Sequence, residues 1–203
     1  MQLSFIESKE PETPKVKGLR YIEDYISDLE QIELLKSINQ QTWLADLNRR
    51  VQHYGYKYDY KTRKIDHSMR LGTLPKWTEF ITERIFKQKL IKQHPDQIII
   101  NEYKAGQGIS PHIDCEPCFD ETIISLSLGS PVVMDFKNVD DTDFPAETEF
   151  GILLKPKSLL ILNDHSRYNW THGIKANKAF NFNNSKYSRR TRVSLTFRKV
   201  IIE

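Results

Sequence analysis

From residue 97 onward the chain is a succession of short β-rich runs, QIIINEY, ETIISLSLG, PVVMDFKN, GILLKPK, SLLILND and RVSLTFRKV, separated by Gly, Pro, Asp and Asn. Runs of this length with turn residues between them leave little room for helices and predict a sandwich or jelly roll. Ser125-Leu126-Ser127-Leu128 and Val193 to Phe197 alternate as a sheet with one buried face requires. Leu159 to Leu162 is apolar throughout and reads as a strand buried on both sides.

The N-terminal third has a different texture. Ser27 stands three residues before Glu30, the form of a capping box, so a helix is expected to start there. Leu29, Ile32, Leu35 and Ile38 follow at near-helical spacing and predict its apolar stripe. A second helix is expected after Pro75, with Trp77, Phe80, Ile81, Ile85 and Phe86 on its packed side. Between the two, residues 49–68 (RRVQHYGYKYDYKTRKIDHS) are rich in Tyr and basic residues without a sustained apolar period, and read as an exposed hairpin or flap. With no internal repeat and no low-complexity linker, the helices are expected to support the sheet. The fold class is therefore α+β: one domain over residues 17–203, preceded by an extension over residues 1–16.

The net charge of +3 permits a polyanionic partner without demanding one. Its distribution says more. Basic residues gather at Arg49-Arg50, Lys57 to Lys64 and Lys186 to Arg192, and acids at Asp140 to Glu149, which marks either a phosphate-facing side or ordinary solvated loops. The first residues lack the apolar stretch of a signal peptide, and no run approaches the roughly 20 apolar residues of a membrane span. Only Cys115 and Cys118 occur, in keeping with a reducing compartment. The expectation is a soluble monomer of the cytoplasm, with the nucleus as the alternative in a eukaryotic cell, and no membrane partner.

His112-Ile113-Asp114 places two potential ligands on one face of an extended strand. His-x-Asp alone also occurs in surface loops, so a third ligand is needed, and His172 follows the β-run SLLILND within HSRYNWTHGI. Two histidines and one carboxylate make the facial triad that suits non-haem Fe(II) and leaves positions open for reactants. Arg192 and Arg198 fall on one face of the last strand. Pointing inward, they would need an anion, and a dicarboxylate such as 2-oxoglutarate accepts bidentate hydrogen bonds from both. Pointing outward, they would guard an edge strand against aggregation. Cys115-Glu-Pro-Cys118 has chelating and redox spacing, but four ligands for structural zinc are lacking. Oxidation beside an iron centre is conceivable. The pair is read as incidental.

The chain resembles the AlkB-type dioxygenases through Asn101-x-Tyr103, Gly106-Gln-Gly-Ile-Ser-Pro-His112-x-Asp114, Thr171-His172-Gly-Ile and Arg192-x5-Arg198, in matching order across residues 17 to 200. The resemblance implies a double-stranded β-helix (jelly roll) with flanking helices and a nucleotide-recognition flap. It implies His112, Asp114 and His172 as iron ligands and catalytic centre. Asn101, Tyr103, Arg192 and Arg198 would bind 2-oxoglutarate, with Arg192 on the distal carboxylate and Arg198 on the chelating end. Dioxygen is then the oxidant, and a C–H bond is hydroxylated while 2-oxoglutarate becomes succinate and carbon dioxide. Hydroxylation of an N-methyl group gives a hemiaminal that loses formaldehyde, which is demethylation.

The same resemblance implies an extruded nucleobase as substrate. Tyr54, Tyr58 and Tyr60 are candidate walls, or simply packing within a hairpin, with Arg49, Arg50, Lys57 and Lys61 near phosphates. Glu116 matches an acid that contacts a cationic alkylated base in repair members, and is otherwise a solvated loop residue. Arg167 matches a position near the substrate phosphate, or forms a structural ion pair. The first expectation is oxidative dealkylation of alkylated DNA or RNA. Ser125-Leu-Ser-Leu, Val133-Met-Asp-Phe and Arg167-Tyr-x-Trp-Thr-His-Gly-Ile look like the tRNA homologue that hydroxylates a wobble-uridine side chain, which makes tRNA hydroxylation the alternative. A protein or lipid hydroxylase comes third and a non-catalytic binding module fourth.

Overall fold

The computed structural model describes residues 16–45, 48–139 and 148–202. All but Val16 of the expected N-terminal extension and most of the acidic stretch at 140–149 lie outside the described residues.

Among the described residues, twelve strands form two main antiparallel sheets and a hairpin. The larger sheet has the order β1 (Leu19–Ile22), β8 (Leu159–Leu162), β5 (Ile123–Gly129), β12 (Arg192–Arg198), β3 (Gln97–Tyr103), β2 (Arg50–Tyr54). The smaller has the order β4 (Ile109–His112), β9 (Trp170–Ile174), β6 (Val132–Asn138), β7 (Glu149–Leu154). The hairpin pairs β10 (Ala179–Phe182) with β11 (Ser185–Ser188), and its two-residue turn puts Asn183 and Asn184 at φ 46° and 61°, the left-handed region such a tight turn needs. This is the predicted jelly-roll architecture.

Side-chain parity divides the interior in two. On the outer face of the large sheet Ile98 and Ile100, Leu126 and Leu128, Leu159 and Ile161, and Val193, Leu195 and Phe197 pack under the helices α1 (Asp28–Asn39) and α2 (Glu79–Lys87). Residues of the opposite parity point between the sheets. There Leu160 and Leu162 meet Val132, Met134, Phe136, Ile152 and Leu154 from the small sheet. The alternation in β5 and β12 is present as read from sequence, but polar members are also buried: Ser194 and Thr196 face an interior cavity, not water, and Ser127 is buried against Arg192.

Two sequence expectations change. Ser27 and Glu30 do form the capping box of α1, and Glu30 also pairs with Arg84 of α2. However, Leu34 and Ile38 fill the core, whereas Leu29 and Ile32 are 73% and 60% exposed. Spacing had placed the stripe one side of where the sheet lies. Leu34→Ala is expected to cost about 2–5 kcal/mol and Leu29→Gln less than about 0.5 kcal/mol, measured by urea denaturation. A large loss at Leu29 would contradict this orientation.

The other change concerns residues 49–68. Their first part is β2, an edge strand in register with β3 from Arg50↔Glu102 to Tyr54↔Ile98. Gly55, at φ 77°, then turns the chain where an added Cβ would strike the Asp96 carbonyl oxygen. Only the following loop, held by bridges Tyr56↔Arg70 and Asp59↔Lys64, behaves as the expected flap.

Candidate active site

A cavity of about 620 Å³ opens between the sheets, and its wall collects His112, Asp114, His172, Asn101, Tyr103, Arg192, Arg198 and Tyr58. His112 closes β4 directly opposite His172 of β9, so sheet pairing brings the two imidazoles to a centroid separation of 4.5 Å. Gly173 permits this closeness: a Cβ there would lie 2.9 Å from the Pro111 nitrogen and 3.0 Å from its Cα. Asp114 sits just past the end of β4, with Oδ2 at 3.6 Å from His172 Nε2. One ligand atom from each of the three residues lies within 4.8 Å of the others.

Local contacts prepare each member. His112 Nδ1 lies 2.8 Å from the Ser110 carbonyl oxygen; a carbonyl can only accept, so Nδ1 carries the proton and Nε2 the lone pair. His172 is pushed down to about 3, first by burial and then by His112, which keeps it a neutral imidazole able to donate its lone pair. Burial alone would raise the Asp114 carboxyl, but Arg198, His172 and His112 together hold it well below the usual carboxylate range. Arg198 Nη2 donates to Asp114 Oδ1 at 2.7 Å, and its guanidinium lies over the Phe119 ring at 4.6 Å. The set of two imidazoles and one ionised carboxylate fits a divalent first-row metal such as Fe(II).

The second half of the cavity is a cationic recess. Arg192 is 2% exposed and, among the described residues, donates only to Ser127 Oγ, at 2.8 Å, with its Nε unpartnered. Burial pushes it down to about 10, so it stays charged at neutral pH. Arg198 also has an Nε without a partner among the described residues. Buried guanidinium N–H groups without acceptors cost free energy unless an anion joins them. Tyr103 and Asn101 stand beside Arg192 on the neighbouring β3, paired Arg192↔Tyr103 and Ser194↔Asn101. The orphaned N–H groups fit a dicarboxylate.

Three sequence-predicted residues fall outside the cavity. Tyr54 pairs with Ile98 and therefore shares the outer face, where it meets Trp77 edge-on at 5.7 Å and its hydroxyl donates to Gln52 Oε1. Its neighbour His53 has the inner parity, so a one-residue error in face misplaced Tyr54. Glu116 is exposed and lines no part of the cavity. Arg167, in the short helix α3 (Asp164–Tyr168), is 2% exposed and donates to the carbonyl oxygens of Asp114 at 2.9 Å and Cys115 at 3.2 Å. It positions the loop carrying Asp114 from behind.

Other residues were missed or underused. Arg49 lines the cavity, donates to Asn101 Oδ1 at 2.8 Å and lies over Tyr103 at 5.4 Å, an inward role that its basic surroundings concealed. Ser125, Ser194 and Thr196 could have been found from strand parity once Arg192 was placed inside. At the mouth Tyr58 packs edge-on to Tyr60 at 5.0 Å and tilted to Phe119 at 5.6 Å, with Arg63 alongside. Cys115 and Cys118, read as incidental thiols, are joined as a disulfide. Tyr58→Ala is expected to impair substrate oxidation at least about tenfold through the lost stacking wall, while Tyr54→Phe leaves it unchanged. Equal effects in steady-state assays would refute the assignment of faces.

Comparison with known proteins agrees with this geometry. Residues 18–198 match the model of the 2OG-Fe(II) oxygenase superfamily. Protein L905 of Acanthamoeba polyphaga mimivirus is 39% identical over 93% of this chain and 87% of its own length. The Alkylated DNA repair protein ALKBH8 homolog of Arabidopsis thaliana is 35% identical over 91% of this chain. The tRNA (carboxymethyluridine(34)-5-O)-methyltransferase ALKBH8 of Macaca fascicularis is 40% identical over 79%. The chain spans 59% and 24% of those two proteins. The solved structure of OsALKBH1 superposes with a TM-score of 0.66 at 16% identity, covering 90% of this chain and 96% of that one, and so shares the fold. The chain is an enzyme of the 2OG-Fe(II) oxygenase superfamily, AlkB-type branch, whose members use Fe(II) and 2-oxoglutarate.

Proposed function

We propose that the protein oxidises an alkyl substituent on a nucleobase of DNA or RNA, with oxidative dealkylation as the outcome wherever the attacked carbon is bonded to nitrogen. The observation that carries this reading is the buried Arg192, with its unpartnered Nε, in the same cavity as the His112, Asp114 and His172 cluster. His112, Asp114 and His172 would hold Fe(II). Arg192 and Arg198, with Asn101 and Tyr103, would hold 2-oxoglutarate. Bound there with dioxygen, the metal and cosubstrate supply a two-electron oxidation of a C–H bond, releasing succinate and carbon dioxide.

The chain's own residues position the reactants. Arg167 holds the Asp114 backbone, and Arg198 holds its carboxylate. Tyr58, Tyr60 and Phe119 offer aromatic surface against which a planar base can lie and from which water is displaced. The segment from Lys175 to Arg192 contains no acidic residue, and Lys178, Lys186 and Arg190 on it are exposed, which suits a phosphate backbone. No helix among the described residues is long and apolar enough to cross a membrane.

A second reading is hydroxylation of a carbon-linked side chain on a tRNA wobble uridine. Glu116, the acid expected to meet a cationic base, stands outside the cavity, while the cavity wall carries Arg49 and Arg63. A lining of that charge favours a neutral or anionic base over a cationic one. The name of the macaque relative points to the same tRNA position.

The test is reconstitution with Fe(II) and 2-oxoglutarate without oxygen, then admission of oxygen with methylated single-stranded DNA, methylated RNA or bulk tRNA. Formaldehyde with loss of the methylated base supports dealkylation. Succinate with one added oxygen on a tRNA nucleoside supports the second reading. Succinate without any nucleic-acid product refutes both substrate assignments.

A further inference from the structure

Cys115 and Cys118 are reactive groups to which the proposed oxidation gives no role. They follow Asp114 directly, are each 4% exposed, and have Cα atoms 5.3 Å apart, a spacing from which a disulfide forms without backbone movement. Cys115 lines the cavity, so a small reagent reaches the pair from inside. Both sulfurs also rest on one atom of the flap. The Arg63 carbonyl oxygen is 3.2 Å from Cys115 Sγ and 3.3 Å from Cys118 Sγ, and Arg63 Nη2 donates to the Ile113 carbonyl at 3.3 Å. A single flap residue thus meets the segment from Ile113 to Cys118 at three points.

We propose that Cys115 and Cys118 are a reversible dithiol–disulfide couple, oxidised by hydrogen peroxide, whose state sets how firmly the flap over residues 57–66 is held on the cavity mouth. In the first step one thiolate attacks a peroxide oxygen; the O–O bond breaks, the departing hydroxide takes a proton to become water, and a sulfenic acid remains. The second sulfur then attacks the sulfenic sulfur, the S–O bond breaks, a second water leaves, and the disulfide forms. The peroxide gains two electrons and the pair of thiols loses two. A small dithiol reverses the change by exchange through a mixed disulfide.

The consequence for the flap follows from hydrogen count. Two thiols can each donate S–H to the Arg63 oxygen, whereas a disulfide has no hydrogen to donate. Oxidation therefore removes two hydrogen bonds to the flap: in the disulfide the Arg63 carbonyl oxygen still lies 3.2 and 3.3 Å from the sulfurs but faces their lone pairs. The crosslink ties Cys115 to Cys118 without tying either to the flap. Arg167 grips the Asp114 and Cys115 carbonyls through contacts that involve neither sulfur, so the change passes to the flap and not to Asp114. Any effect on substrate binding rests on the proposed function; the couple and its hold on the flap do not.

The test uses the full chain, without metal or cosubstrate, exposed to hydrogen peroxide or to dithiothreitol and split for two readings. Alkylation with N-ethylmaleimide under denaturing conditions, read by mass, is expected to label both cysteines after reduction and neither after peroxide. Hydrogen exchange is expected to be at least about twofold faster across residues 57–66 in the oxidised form, where Lys57, Asp59 and Arg63 donate backbone hydrogen bonds. Cys118→Ser, unable to crosslink, should exchange at one rate under both treatments. Two labelled thiols after peroxide, or overoxidation without a crosslink, would overturn the couple. Equal exchange in the two forms would overturn its effect on the flap.

Discussion

Asp114→Ala is expected to lose bound iron and to reduce 2-oxoglutarate turnover by well over a hundredfold, more than the 10- to 100-fold typical of residues that merely orient a ligand. The variant carries a second penalty. Asp114 is the acceptor for Arg198 Nη2, so its removal strands a buried guanidinium and should destabilise the fold by about 3–5 kcal/mol. Asp114→Asn separates the two effects, because a neutral amide of the same shape still accepts a hydrogen bond from Arg198. Iron content by atomic absorption on the folded Asn variant decides the matter. Stoichiometric iron there, with wild-type turnover, would remove Asp114 from the metal centre.

Arg192→Ala is expected to weaken 2-oxoglutarate by about 2–5 kcal/mol, roughly 30-fold to several thousandfold, the usual result of truncating one partner of a buried hydrogen-bonded charge pair. Unlike Asp114→Ala it should retain iron. It should also leave the protein without ligand no less stable, since among the described residues Arg192 donates only to Ser127 and carries an unsatisfied Nε. A ligand at 100 times its Kd adds about 2.7 kcal/mol to stability, so the wild type should show a clear thermal shift with 2-oxoglutarate and the variant little. An undiminished shift in the variant would place the cosubstrate elsewhere.

These residues were legible in the sequence because strand parity survives translation into three dimensions. Arg192 and Arg198 share a face with Ser194 and Thr196 whatever the sheet does, and Val193, Leu195 and Phe197 must then take the other. Parity does not say which face lies outward, and that required the neighbours. Tyr54 failed on this point, since its face is set by pairing with Ile98, a residue 44 positions away in sequence. The α1 stripe failed in a related way: Leu29, Ile32, Leu35 and Ile38 are helically spaced, but the sheet covers the side bearing Leu34 and Ile38. Arg167 could be read only as a charge. Its work on two carbonyl oxygens depends on where a loop 52 residues earlier comes to rest. The motifs thus carried the identities of the site residues, while tertiary register decided which of their neighbours joined them.

The glycine beside His172 has a consequence for how such a centre can be altered. His112 and His172 face each other across two strands whose separation at that point is permitted by the missing side chain of Gly173. A single methyl group at residue 173 would wedge the strands apart and widen the bite of the two imidazoles without touching either ring. The spacing of the two imidazoles is therefore adjustable by one carbon atom on a residue outside the candidate ligand set, and a search for variants with altered metal preference has reason to begin there.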